Sequence, residues 1–162
     1  MRIPVAHAIG VVLAAGLVTG TLARAQQGTH PSAHVMVTPG DVAWGEGPAS
    51  LRPGTKAAVI EGDPKQAGLF TMRLKLPAGY QIPPHWHPAD EHVTVLSGTF
   101  HMGLGESFDA ATAKPLTVGS FAVMPAKAAH FAFTKEETVI QLHGLGPWGI
   151  NYVNPSDDPR KK

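Results

Sequence analysis

Residues 79–98 read GYQIPPHWHPADEHVTVLSG, and they carry His85, His87 and Glu91 between Gly79 and Gly98. Side chains alternate along a strand, so an extended segment over 85–87 puts both imidazoles on one face and Trp86 on the other. Pro83 and Pro84 favour that extended approach, because each proline fixes its own φ and restricts its predecessor. Pro88-Ala89-Asp90 is a short turn, and Glu91 opens the β-branched, apolar run HVTVL. Two imidazoles and a carboxylate converging from one strand–turn–strand unit suit a divalent first-row metal.

This arrangement resembles the first motif of the cupin superfamily, G-x5-H-x-H-x3-E-x6-G, with Gly79, His85, His87, Glu91 and Gly98 at its fixed positions. Residues 119–134, GSFAVMPAKAAHFAFT, resemble the second motif, G-x5-P-x-G-x2-H-x3-N, at Gly119, Pro125 and His130. They depart from it at Lys127, where the family has Gly, and at Thr134, where it has Asn. A non-Gly residue avoids positive φ, so Lys127 speaks against the usual tight turn. The resemblance, to the small type-2-like cupins with both motifs, implies an all-β, double-stranded β-helix (a jelly-roll barrel). It also implies a metal held by His85, His87, Glu91 and His130.

The strand pattern agrees. From Leu69 to Leu76 the alternation is strict, with Phe70, Met72, Leu74 and Leu76 on one side and Thr71, Arg73 and Lys75 on the other. Lys56–Ile60 is a short strand followed by the turn residues EGDP. Val93–Leu96 and Thr99–Leu104 flank Ser97-Gly98, which reads as a hairpin turn. The Ala-rich stretch 108–116 reads as a loop. Further strands follow over 121–124, 130–133 and 138–143, and Phe131 and Phe133, opposite to His130, are expected between the sheets. Short strands separated by Gly and Pro, without a convincing helical period, argue for an all-β fold; a lipocalin-like barrel would fit the strands but leave the His/Glu set unexplained.

Residues 1–25 have the form of a secretory signal: Arg2, the apolar run 8–18, and the small-x-small site Ala23-Arg24-Ala25. The apolar run is well short of the ~20 residues of a membrane span. Cleavage after Ala25 removes Arg2 and Arg24, leaving 11 Lys+Arg against 12 Asp+Glu, a net charge of −1. Residues 26–40 are expected as a flexible arm, 41–155 as the barrel, and 156–162 as a charged, solvated tail. His30 and His34 in the arm are separated by Pro31 and make no metal site. A periplasmic or secreted location follows, with no membrane association after cleavage. No basic surface large enough for nucleic acid is present. The chain has no Cys, which excludes disulfides and a thiolate metal site.

Three nitrogens and one carboxylate oxygen accept Fe(II), Mn(II), Ni(II), Cu(II) or Zn(II). Four protein ligands leave up to two positions of an octahedral ion for O₂ or a bidentate substrate; the ligand type does not decide the metal, and iron is the favoured one among these. The leading expectation is a metal-dependent oxidoreductase, dioxygenase-like, acting on a small organic molecule. A metal-dependent lyase, isomerase or decarboxylase is the second reading, and a non-catalytic metal- or small-molecule-binding protein the third. Glu91 could also accept a proton. His143, which shares a strand face with Gln141, is a candidate acid/base group if that face is the cavity. His101, in the partner strand of the expected hairpin, could also approach the site, whereas His92 should face away from Glu91. The sequence is almost silent on assembly; related barrels commonly pair, which leaves a homodimer open.

Overall fold

The computed structural model describes residues 34–161. The expected leader, His30 and the start of the arm lie outside them. Eleven strands form two antiparallel sheets that face each other across one core. The first sheet runs in the order β1 (Gly45–Glu46), β2 (Lys56–Glu61), β3 (Gly68–Leu76), β10 (Thr138–Gly146), β5 (Glu91–Ser97) and β8 (Phe121–Met124). The second runs β11 (Asn151–Tyr152), β4 (Gln81–Trp86), β9 (His130–Thr134), β6 (Phe100–Leu104) and β7 (Lys114–Leu116). This is the jelly-roll barrel.

The alternation that marks β3 in the sequence is the alternation of its burial. Phe70, Met72, Leu74 and Leu76 are buried, and β10 lies antiparallel beside it with Ile140 and Leu142 facing the same core. Val93 and Val95 of β5 continue that layer, while Ile82, Phe100, Met102 and Ala132 close it from the second sheet. Burying each large side chain of this kind is worth roughly 1.5–3 kcal/mol. The layer is therefore the main source of stability in a chain without disulfides.

Four local expectations are corrected. Ser97-Gly98 is not a hairpin turn: β5 pairs with β10 and β8, whereas β6 pairs with β9 and β7, so the chain changes sheets there. Gly98 permits this corner. It has φ 71°, and a Cβ would lie 2.5 Å from the Glu137 carbonyl. Within 108–116, Lys114–Leu116 is an edge strand on β6, where Pro115 is tolerated. Phe131 and Phe133 do not lie between the sheets. His130 takes the inner face of β9, so the alternate residues cover the outer face, against Phe108 and, for Phe133, His101. Finally, Lys127 does adopt the left-handed turn, with φ 64°, and its N–H donates to the His87 carbonyl at 2.8 Å.

Thr134, in the place of the family's Asn, ties the end of β9 to the turn before β4. Its hydroxyl donates to the Pro77 carbonyl at 2.6 Å and accepts the Tyr80 N–H at 3.2 Å. The charged C-terminal stretch is also tied down. Asp158 is buried, and Arg160 donates to it through Nε (2.7 Å) and Nη2 (2.8 Å).

Candidate metal centre

The inner ends of β4, β5 and β9 bring three imidazoles together, with Glu91 against two of them. β4 delivers His85, and His87 follows just past its end. β5 begins with Glu91, and β9 begins with His130, the cross-strand partner of His85. Two bonds hold the connecting loops together: the Asp90 carboxylate accepts the Ala126 N–H at 2.8 Å, and Lys127 donates to His87 as above. All four side chains are buried. His85, His87 and His130 each offer a nitrogen within 4.8 Å of the others, a set able to hold a metal ion.

The hydrogen bonds fix which nitrogen that is. Nδ1 of His85 lies 2.7 Å from the Pro83 carbonyl, that of His87 2.8 Å from Gly149 O, and that of His130 3.0 Å from Ala128 O. A carbonyl can only accept, so each neutral ring carries its hydrogen on Nδ1 and turns the Nε2 lone pair inward. Nε2 of His87 is 3.5 Å from one Glu91 oxygen and Nε2 of His130 is 3.2 Å from the other. Neither Nε2, nor the Glu91 Oε2, has a hydrogen-bond partner. An unmatched buried acceptor costs about 1–3 kcal/mol. Acceptors that face one another in a buried pocket fit a cation between them, with the carbonyls orienting the rings as outer partners do in metal sites.

Electrostatics agree with neutral His85 and His87 beside an ionised Glu91. Burial, reinforced by His130 and His87, pushes His85 down to about 3. Burial likewise lowers His87, against the opposing pull of Glu91. Burial alone would raise Glu91, but His130, His87 and His85 outweigh it and hold the carboxyl below its ordinary range.

His85, His87, Glu91 and His130 line one end of a cavity of about 260 Å³. Its walls are Met72, Leu74, Ile82, Phe100, Met102 and further apolar residues from both sheets. Trp148 closes one side and stacks on His87, with centroids 4.2 Å apart and planes at 12°. The sequence reading did not single out Trp148, Ile150 or Arg160 as cavity residues. The available signal was two aromatics, Trp148 and Tyr152, in a turn-rich segment that otherwise has no reason to carry them.

His143 is not in the cavity. The inner face of β10 belongs to Thr138, Ile140 and Leu142, so His143 and Gln141 fall on the outer face. There His143 stacks on His92 at 4.8 Å beside Phe121, and Gln141 accepts a hydrogen bond from Arg73. An acid/base role for His143 at the centre is ruled out by this parity. His101 is likewise outside, stacked on Phe133 at 4.6 Å.

The solved structures that resemble this chain share its fold at low identity. A candidate acetylacetone dioxygenase from Methylibium petroleiphilum is 21% identical, over 78% of this chain and 85% of that one, with a TM-score of 0.59. The polyketide cyclase RemF from Streptomyces resistomycificus is 17% identical, over 80% and 92%, also at 0.59. An RmlC-like cupin from Shewanella frigidimarina is 14% identical, over 70% and 91%, at 0.53. No curated protein matches. The family described as the ChrR cupin-like domain matches residues 32–149, most of the chain, and the protein belongs to that family of cupins.

Proposed function

We propose that this protein is an exported, metal-dependent oxidoreductase of the dioxygenase-like kind, acting on a small organic molecule. The observation that carries the reading is the floor of the cavity: three Nε2 lone pairs and the Glu91 carboxylate converge beneath otherwise apolar walls. His85, His87, Glu91 and His130 would hold a divalent ion, with iron favoured by its chemistry toward O₂. When bound, such an ion supplies Lewis acidity and, if it is redox-active, an electron path to O₂.

The chain's own residues supply the rest. The carbonyls of Pro83, Gly149 and Ala128 keep the rings in one tautomer. Met72, Phe100, Met102 and Trp148 exclude water and present an apolar surface to the body of the substrate. Glu91 is the group able to take a proton from an acidic C–H or O–H of a bound molecule.

Beyond these four side chains, no other His, Asp, Glu or Tyr among the described residues lines the cavity. A lyase or isomerase working with a separate histidine or carboxylate base therefore has no such group there, with Lys65 the one other side chain of the lining able to act as a base, which favours oxygen chemistry or simple binding. Two similar folds support the first by their names, the candidate acetylacetone dioxygenase and a salicylate 1,2-dioxygenase from Pseudaminobacter salicylatoxidans. Export rests on residues 1–25, and a homodimer is the assembly we expect. Metal analysis of protein purified from the periplasm, with O₂ uptake measured against diketones, flavonols and catechols, tests the reading. Bound iron with uptake is the expected result. Zinc or nickel without uptake would move the assignment to non-oxidative chemistry, and a protein without metal would end it.

A further inference from the structure

The residues lining the cavity differ in exposure, and the most exposed of them mark its mouth. They are Pro48, Lys65 and Arg160, two of them cations, with Ser50, Pro64, Trp148 and Gly149 part-exposed beside them. Arg160 is held in place: besides Asp158, its Nη2 donates to the Ile150 carbonyl at 3.2 Å, leaving Nη1 without a partner among the described residues. Asp158 balances that guanidinium. Lys65 is not balanced in the same way. No carboxylate among the described residues lies within 4.0 Å of its ammonium, although Asp63 accepts its backbone N–H. Inside, Glu91 is the one carboxylate of the lining among the described residues, and it faces His87 and His130. Low-dielectric walls below a positive rim focus the field toward the opening.

We infer that the site takes a small organic acid, with its chelating oxygens at the histidines, its apolar body in the cavity and its carboxylate at the mouth beside Lys65 and Arg160. The inference rests on the metal reading above and adds the substrate class. A cavity of about 260 Å³ has room for a substituted ring, since roughly 150 Å³ accommodates benzene.

The test compares two probes of nearly equal size on the full-length mature protein loaded with zinc, which is redox-silent, so that binding is read without turnover. The probes are protocatechuate, a catechol bearing a ring carboxylate, and its primary amide, titrated calorimetrically. The acid should bind about tenfold tighter than the amide, with the preference shrinking as salt is added. Lys65 is exposed, so Lys65→Gln should fold normally and weaken the acid by roughly two- to fivefold while leaving the amide unchanged. Arg160→Gln provides the second variant and should also weaken the acid selectively. Equal affinity for the two probes, or a preference untouched by both substitutions, overturns the inference while leaving the metal reading intact. Failure to take up zinc overturns the metal reading and this inference with it.

Discussion

The inward-facing histidines, His85, His87 and His130, and the outward-facing ones, His92, His101 and His143, sit on or just beyond strands of the same barrel, yet they are used in opposite ways. Each inner ring donates Nδ1–H to a main-chain carbonyl and turns its other nitrogen to a shared point, the Nε2 atoms of His87 and His130 standing unpartnered beside Glu91. The outer rings make flat contacts: His92 on His143, and His101 on Phe133. Residue type is the same in both groups; strand parity and a carbonyl behind the ring make the difference. The inward-facing rings are those whose tautomer a main-chain carbonyl fixes and whose other nitrogen turns to the buried centre.

The sharpest way to break that division is to remove one member of each group. His130→Ala should lower metal affinity by more than the roughly 10–100-fold that loss of an outer hydrogen-bond partner costs. His143→Ala should leave metal content unchanged and stability within about 0.5 kcal/mol. Metal titration with a chelator competitor and urea unfolding read both. If His143→Ala released the metal, the outer assignment of β10's odd residues would be wrong.

Acid gives the next largest effect. The folded pKa of His85, about 3, is below the ~6.5 of an unfolded imidazole. Between those values the unfolded chain binds a proton that the folded chain refuses. Stability of the metal-free protein is therefore complete above about pH 6.5 and is lost as pH falls through that window, by no more than about 5 kcal/mol from this group. The lowered pKa of Glu91 acts in the same direction further down. Urea midpoints measured from pH 7 to pH 4 should decline, and a flat profile would mean that His85 is not held neutral.

On the outer side of the second sheet, Gly103 is the cross-strand partner of Phe131, and a Cβ there would sit 2.1 Å from the ring. Gly103→Ala should cost about 1–3 kcal/mol by overpacking, without altering metal affinity. A neutral result would return Phe131 to the interior, where the sequence alone had suggested it.

Much of this was legible before any coordinates. The alternation of 69–76 gave β3 and its buried face, and the spacing of His85, His87 and Glu91 gave a common centre because period two is a rigid rule once a segment is extended. What alternation cannot give is which of the two faces is inside. For β10 the answer lies in Ile140 and Leu142, whose apolar character outvotes Gln141 and His143, and reading the strand from its hydrophobic set would have excluded His143. For β9 both faces are buried, so composition carries no sign; Phe131 and Phe133 look like core residues because a second, smaller apolar layer with Phe108 covers them. The corner at Gly98 was hidden for a different reason. A two-residue Gly turn has the same local sequence whether the flanking strands pair with each other or part to separate sheets, and only long-range partners decide.

Lys127 carries the smallest expected effect and shows how the inner group is kept in place. Its main-chain N–H holds His87's carbonyl, and the bond requires the turn to adopt positive φ, at a position where the family uses Gly. For an L residue with a side chain that conformation costs roughly 1–2 kcal/mol, while a Gly gives back about 0.4–1 kcal/mol through the greater freedom of its unfolded chain. Lys127→Gly should therefore raise stability by only about 0.5–1 kcal/mol, with metal affinity unchanged because the bonded group is backbone. Lys127→Val, β-branched and poorly suited to this region, should instead lower stability and loosen the metal through His87. Urea unfolding of the two variants beside the parent, with metal affinity measured on each, separates backbone geometry from any role of the lysine charge. Equal losses of metal in both would assign that role to the ammonium group instead.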